Sequence, residues 1–284
     1  MTWLTYALLA ALFIGISMVF YKLPSYKNYS SFVSTIVTNF LSTIFIWIGI
    51  FCITGSLSAT AHISWYGLAW GATFAVSMVL YKKLLSGREA GTIFPVVSSA
   101  GNTFTIVAGV VLLSEVLSWI QVVGIIIIFS SIYFFQRKEG KVVFNKQALL
   151  FALGIIVFST AQKFIQKLGA TNDTVYQFLA YQYLGAAITA TVLTILFERS
   201  KLKELFAIRK YVRGALLISI FSVLGGYAIL KALTTASLSE VYAVQPIYTF
   251  VTAMLGVWLF RERMDWRKVV FILLSIIGVI LLRI

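Results

Sequence analysis

Gly109-Val110-x-Leu112-x-x-Glu115-x-x-x-Trp119-x-x-Val122-Val123-x-Ile125 reappears 147 residues later as Gly256-Val257-x-Leu259-x-x-Glu262-x-x-x-Trp266-x-x-Val269-Val270-x-Ile272. A period of that length is too long for a solenoid unit and marks a duplicated half-molecule. The openings of the two halves agree as well. Ala7-Leu8-Leu9-x-Ala11-Leu12-x-Ile14 matches Ala148-Leu149-Leu150-x-Ala152-Leu153-x-Ile155, with Lys22 and Lys163 following at the same offset of 141 residues.

The 284-residue chain is 60% hydrophobic and 11% charged, where a soluble domain carries roughly 25% charged residues. The solvent for so much apolar surface is lipid. The net charge of +14 raises nucleic acid as a partner, but the basic residues sit in short runs between apolar stretches, as in cytoplasmic loops of membrane proteins. No nucleic-acid partner is expected. Cys52 is the single cysteine and His62 the single histidine, so neither a disulfide framework, a metal site nor a cofactor is expected. The N-terminus is apolar from Trp3 without a basic leader, and is read as a first transmembrane helix rather than a signal peptide.

A bilayer core takes about 20 apolar residues in helical form. Ten such spans fall between charges and turn residues, at 2–21, 30–54, 62–81, 89–113, 117–136, 147–167, 174–197, 211–232, 236–260 and 267–284. The expected fold is all-α: a polytopic membrane protein of ten transmembrane helices in two inverted five-helix repeats, residues 1–136 and 147–284, joined by a loop at 137–146. Five crossings separate Glu115 from Glu262, which puts the two motif copies on opposite faces. The loops after odd-numbered spans, together with the span ends that border them, hold 19 of the 23 Lys and Arg. The positive-inside rule therefore makes them cytoplasmic and both termini extracytoplasmic, in a prokaryotic cytoplasmic membrane. Short connections leave no room for a soluble domain, and a monomer is expected.

Glu115 and Glu262 stand in tight turns before the next helix. A carboxylate there caps exposed N–H groups, and this reading is preferred to ion carriage, which places ionisable groups inside the bundle. Gly67 and Gly71, Gly185 with Ala186 and Ala190, and Gly225-Gly226 permit close helix approach.

An inverted repeat holds its substrate near the midplane, between corresponding helices interrupted by Gly, Pro or polar residues. Pro95-Val96-Val97-Ser98-Ser99-Ala100-Gly101-Asn102-Thr103 in the fourth span and Tyr242-Ala243-Val244-Gln245-Pro246-Ile247-Tyr248-Thr249 in the ninth fit that description. Pro95 and Pro246 are the expected helix breakers. The 147-residue offset pairs Ser98 with Gln245 and Asn102 with Thr249, across a cavity also lined by Ser99, Tyr242 and Tyr248. The alternative is that these polar groups only join helices. Thr73, Ser77, Ser159, Thr160, Gln162, Lys163, Tyr176, Gln177 and Tyr181 are expected to face the same cavity, with Ser222 and Tyr227 as further candidates. Trp65 and Tyr66, at a span end, suit an interfacial aromatic belt, with Trp70 either part of that belt or facing the cavity. Lys163 is expected to snorkel to the interface, the alternative being an anionic partner. Glu240 is expected to pair locally with Lys231 and is the remaining candidate for ion coupling. So neutral, polar and aromatic a site suits small zwitterions or uncharged metabolites better than phosphates.

These motifs resemble the EamA family of the drug/metabolite transporter superfamily, ten-helix type. Its signature is matched by Ala232-Leu233, Pro246, Gly256, Leu259, Glu262 and Gly278 in the second half, and by Pro95, Gly109, Leu112, Glu115 and Gly124 in the first. The resemblance implies two inverted five-helix halves and export or exchange of small metabolites, amino acids or drugs, by alternating access. A lipid or lipid-linked head-group flippase of the same architecture is the alternative. Many members are drawn with both termini cytoplasmic, against the charge distribution here. No Gly-rich nucleotide loop or Ser–His pairing points to an enzyme.

Overall fold

A computed structural model describes residues 2–26, 31–54, 60–85, 90–136, 146–171, 174–207, 209–260 and 266–282. They form eleven α-helices: α1 (Trp3–Tyr26), α2 (Ser31–Thr54), α3 (Ala61–Leu85), α4 (Ala90–Leu112), α5 (Trp119–Gln136), α6 (Lys146–Gly169), α7 (Val175–Phe197), α8 (Arg209–Leu233), α9 (Leu238–Val244), α10 (Tyr248–Phe260) and α11 (Trp266–Leu281). Among the described residues, six segments are long and apolar enough to cross a bilayer: Trp3–Phe20, Phe32–Ile53, Ala61–Leu80, Leu149–Gly169, Val175–Phe197 and Val212–Leu233. At about 1.5 Å rise per residue, 20 residues cover the ~30 Å of a hydrocarbon core. The protein is an all-α polytopic membrane protein.

The ninth span is interrupted at Pro246, as expected: a 3-10 turn at Gln245–Ile247 divides it into α9 and α10. Pro246 has no N–H and cannot donate to the Tyr242 carbonyl, so the α-helical ladder stops there. The fourth span behaves differently, because α4 runs unbroken past Pro95. Pro95 stands little more than one turn into its helix, where few carbonyls precede it. Its side chain, with those of Ser98 and Ser99, lies outside the described residues, as does Glu262. The connection between α7 and α8 is also not plain loop: Arg199–Ala207 form a 3-10 helix, with Lys201 and Glu204 paired at 3.1 Å.

Helices pack chiefly across the sequence rather than along it. α3 lies against α6 and α7, α1 against α8 and α10, α2 against α7 and α8, α4 against α6 and α9, and α5 against α11. Lipid offers apolar side chains no less than a helix neighbour does, so close backbone approach has to supply the contact. Gly67 and Gly71 do this for α3. A Cβ on Gly67 would stand 2.6 Å from Tyr181 Cβ, and one on Gly71 would stand 2.5 Å from the Gln182 carbonyl oxygen. Outward-facing Phe40, Ile48, Phe51, Leu150, Val157, Leu196 and Leu273 remain exposed, as a lipid-facing surface requires.

The two ends of the bundle are built differently. The turns α4–α5, α6–α7 and α8–α9 gather at one end, where polar side chains join them. Toward the other end, Leu205 of the 3-10 helix packs on Val33, Val37 and Ala215 and on Ile36, Ala75 and Ala190. Among the described residues, hydrogen bonds join the elements at the first end and apolar contacts those near Leu205.

Candidate functional site

α6 carries Lys163 and Gln166 three residues apart, on one helical face. Lys163 Nζ donates to Asn102 Oδ1 of α4 and lies 5.1 Å from the centroid of the Tyr242 ring of α9. The Tyr242 hydroxyl donates to Gln166 Oε1 at 2.7 Å, and the Trp70 indole N–H of α3 donates to the same oxygen at 3.2 Å. Asn102, Gln166 and Tyr242 are no more than 3% exposed. A buried amide or hydroxyl left unpaired costs about 1–3 kcal/mol, so these bonds fix four helices on one centre. Lys163 turns inward to that centre, which corrects the snorkelling expectation. Asn102 on one side and the ring face of Tyr242 on the other receive the ammonium inside the bundle.

Other expected residues divide. Asn102, Lys163 and Tyr242 come together. Thr73 donates to the carbonyls of Ala69 and Trp70 and Ser77 to that of Phe74, all within α3, and Thr249 donates to that of Pro246 in the adjoining 3-10 turn. The facing of Asn102 and Thr249 is therefore replaced by the bond from Lys163 to Asn102. Ser159 also donates within its helix, and Thr160 reaches the Gly101 carbonyl at 3.5 Å. Gln162 and Gln245 are half-buried, and Tyr248 is buried. Tyr176 stacks on Tyr227 with ring centroids 5.4 Å apart, and Tyr181 meets Trp47 edge to face at 5.7 Å. Trp65 is exposed, whereas Trp70 lies in the interior rather than in the belt.

A second polar layer lies toward the turns. Ser114, at φ 52°, ends α4 in the left-handed region, and Glu115 N–H returns to the Gly109 carbonyl at 3.3 Å. The Glu115 carboxylate then accepts from Leu238 N–H, from Ser239 N–H at 2.9 Å and from Ser239 Oγ at 2.6 Å. It caps α9 rather than its own following helix. The reason is local: α5 already has a capping box, with Gln121 N–H donating to Ser118 Oγ and Ser118 N–H to Gln121 Oε1. Ser237 and Glu240 form a second box at the start of α9. Gln121 Nε2 donates to Glu240 Oε1 at 3.1 Å and ties the two boxes together. Among the described residues Glu240 thus bonds Ser237 and Gln121, and not Lys231 as expected. Lys167 donates to the carbonyls of Leu233 at 2.8 Å and Ala236 at 2.6 Å, closing the end of α8.

The two layers share helices. Lys167 stands four residues beyond Lys163 on α6, and Tyr242 four residues beyond Leu238 on α9. At helical rise that separates the layers by about 6 Å. The latch of Glu115, Gln121, Glu240 and Lys167 therefore lies about one turn from the Lys163 centre, on the side of the turns. Gln166, Gln121 and Ser239 went unnoticed in the sequence. For Gln166 a signal existed, since an amide three residues from a membrane-embedded lysine shares its face.

An all-α bundle with outward apolar faces and a polar, lysine-bearing centre defines a polytopic membrane protein built around an internal site. Residues 146–284 match the EamA-like transporter family. The chain thus carries a domain of that family, within the drug/metabolite transporter superfamily, and is a membrane transporter rather than an enzyme. No curated protein matches it. A solved crystal structure of a protein is similar over 98% of this chain and 96% of its own, with TM-score 0.77 and 12% identity; that likeness concerns the fold alone.

Proposed function

We propose that the protein is a secondary transporter that exports or exchanges small polar or zwitterionic, amino-acid-like metabolites by alternating access of the Lys163 centre. Ten spans in two inverted five-helix halves carry the motion. The packing supports this symmetry. Exchanging α1–α3 with α6–α8, α4 with α9 and α10, and α5 with α11 turns the α1–α8 contact into α6–α3, and α2–α8 into α7–α3. The contacts α2–α7, α4–α9 and α5–α11 map onto themselves. Charge distribution supports cytoplasmic odd-numbered loops, and then the Glu115 latch faces outward.

The observation that carries the reading is the centre itself: a lysine, two amides and a tyrosine, buried where helices of both halves meet and one turn from a latch between those halves. An inverted repeat holds its substrate in that position. Reconstituted protein loaded with an amino-acid panel tests it. Efflux of at least one member, slowed on the order of tenfold by N102A with folding intact, is the expected result. Efflux unaffected by N102A, or scrambling of lipid without efflux of any solute, would remove the assignment.

A further inference from the structure

Two side chains of α6, Gln166 and Lys163, keep donor N–H groups that no acceptor at the centre takes up. An indole N–H only donates, so the Gln166 atom 3.2 Å from Trp70 is oxygen, and the Tyr242 hydroxyl occupies that oxygen as well. The Gln166 amide nitrogen therefore offers two N–H groups, and no acceptor for them occurs among the described residues. One turn away, Lys163 has three donors. One goes to Asn102 and the ring of Tyr242 receives the cation's face. Among the described residues no carboxylate pairs with it.

These groups specify their complement. Both open positions are donors, and the acceptor capacity of Gln166 is already taken. A lysine that keeps its charge in this centre needs a counter-charge, and a ligand with one negative charge supplies it. Two acceptor oxygens on a planar group answer one ammonium and one amide. A phosphate dianion would leave a charge uncompensated against a single lysine, and an amine would meet a like charge.

We propose that Lys163 Nζ and Gln166 Nε2 bind the carboxylate of the transported substrate. Trp70 and Tyr242 are positioning residues that hold the Gln166 amide with its nitrogen toward the ligand. This rests on the transport reading above and narrows its substrate to monocarboxylates, zwitterions included, with uncharged metabolites excluded.

Proteoliposomes of the full chain test it with α-amino acids and small monocarboxylates set against their own primary amides, in wild type, K163M, K163R and Q166L. Wild type is expected to carry the acids on the order of tenfold faster than the amides, the factor that one charge-assisted hydrogen bond supplies. K163M erases that ratio, K163R keeps part of it, and Q166L lowers it. Amides carried as fast as acids by wild type, or an unchanged ratio in K163M, overturns the carboxylate assignment while leaving transport intact. If K163M does not fold, the wild-type ratio alone decides. If wild type carries no member of the panel, the transport reading fails first and this assignment with it.

Discussion

Gly109 lacks a side chain because a carboxylate stands where one would go. A Cβ built there comes within 2.6 Å of Ser239 Oγ and closer still to Glu115 Oε2. The spacing Gly-x-x-x-x-x-Glu in the repeat thus has a physical meaning in its first copy. The glycine is the seat of the carboxylate, and the left-handed Ser114 between them folds it back. G109A is expected to displace Glu115 and to lower stability by about 1–3 kcal/mol, the cost of unpaired buried groups. Thermal melting in detergent measures it. Because both changes break the same contact, G109A/E115A should melt no lower than E115A. Additive losses would separate the two residues.

At the scale of elements, α3 and α7 cross through glycine. A Cβ on Gly71 would meet the Gln182 carbonyl oxygen at 2.5 Å and Ala186 N more closely, whereas one on Gly49 meets nothing within 4 Å. G71A should therefore separate the helices and lower the melting temperature. G49A should be neutral or slightly stabilising, since alanine favours the helix by roughly 1 kcal/mol. Equal melting of the two variants would contradict the packing account. The elements were largely legible in the sequence, because span length and apolar content are local properties. Gly67-x-x-x-Gly71 likewise announced a close approach, though not its partner. The break at Pro246 was legible and the absence of one at Pro95 was not, since a proline's effect depends on how far into the helix it stands. The site was legible in its lysine, asparagine and tyrosine. It was misread in how they join: Thr249 bonds the Pro246 carbonyl in the adjoining 3-10 turn, and Gln166 takes the place expected of it. Hydrogen bonds among non-adjacent helices are set by rotation about each axis, which residue spacing alone does not report.

For the whole molecule, the proposed alternating access requires the end carrying Glu115 to open and close over the Lys163 centre during transport. Helices α6 and α9 each carry a part of both layers, so parting α9 from Glu115 moves the Tyr242 end of the centre with it. The most direct measurement bridges that latch. In a background with Cys52 replaced by serine, E115C and S239C are joined by a short bis-methanethiosulfonate reagent, and substrate efflux from proteoliposomes is followed before and after reduction. Efflux should stop when the bridge is in place and return when it is reduced. Efflux that continues at full rate through a bridged latch would contradict alternating access at this end.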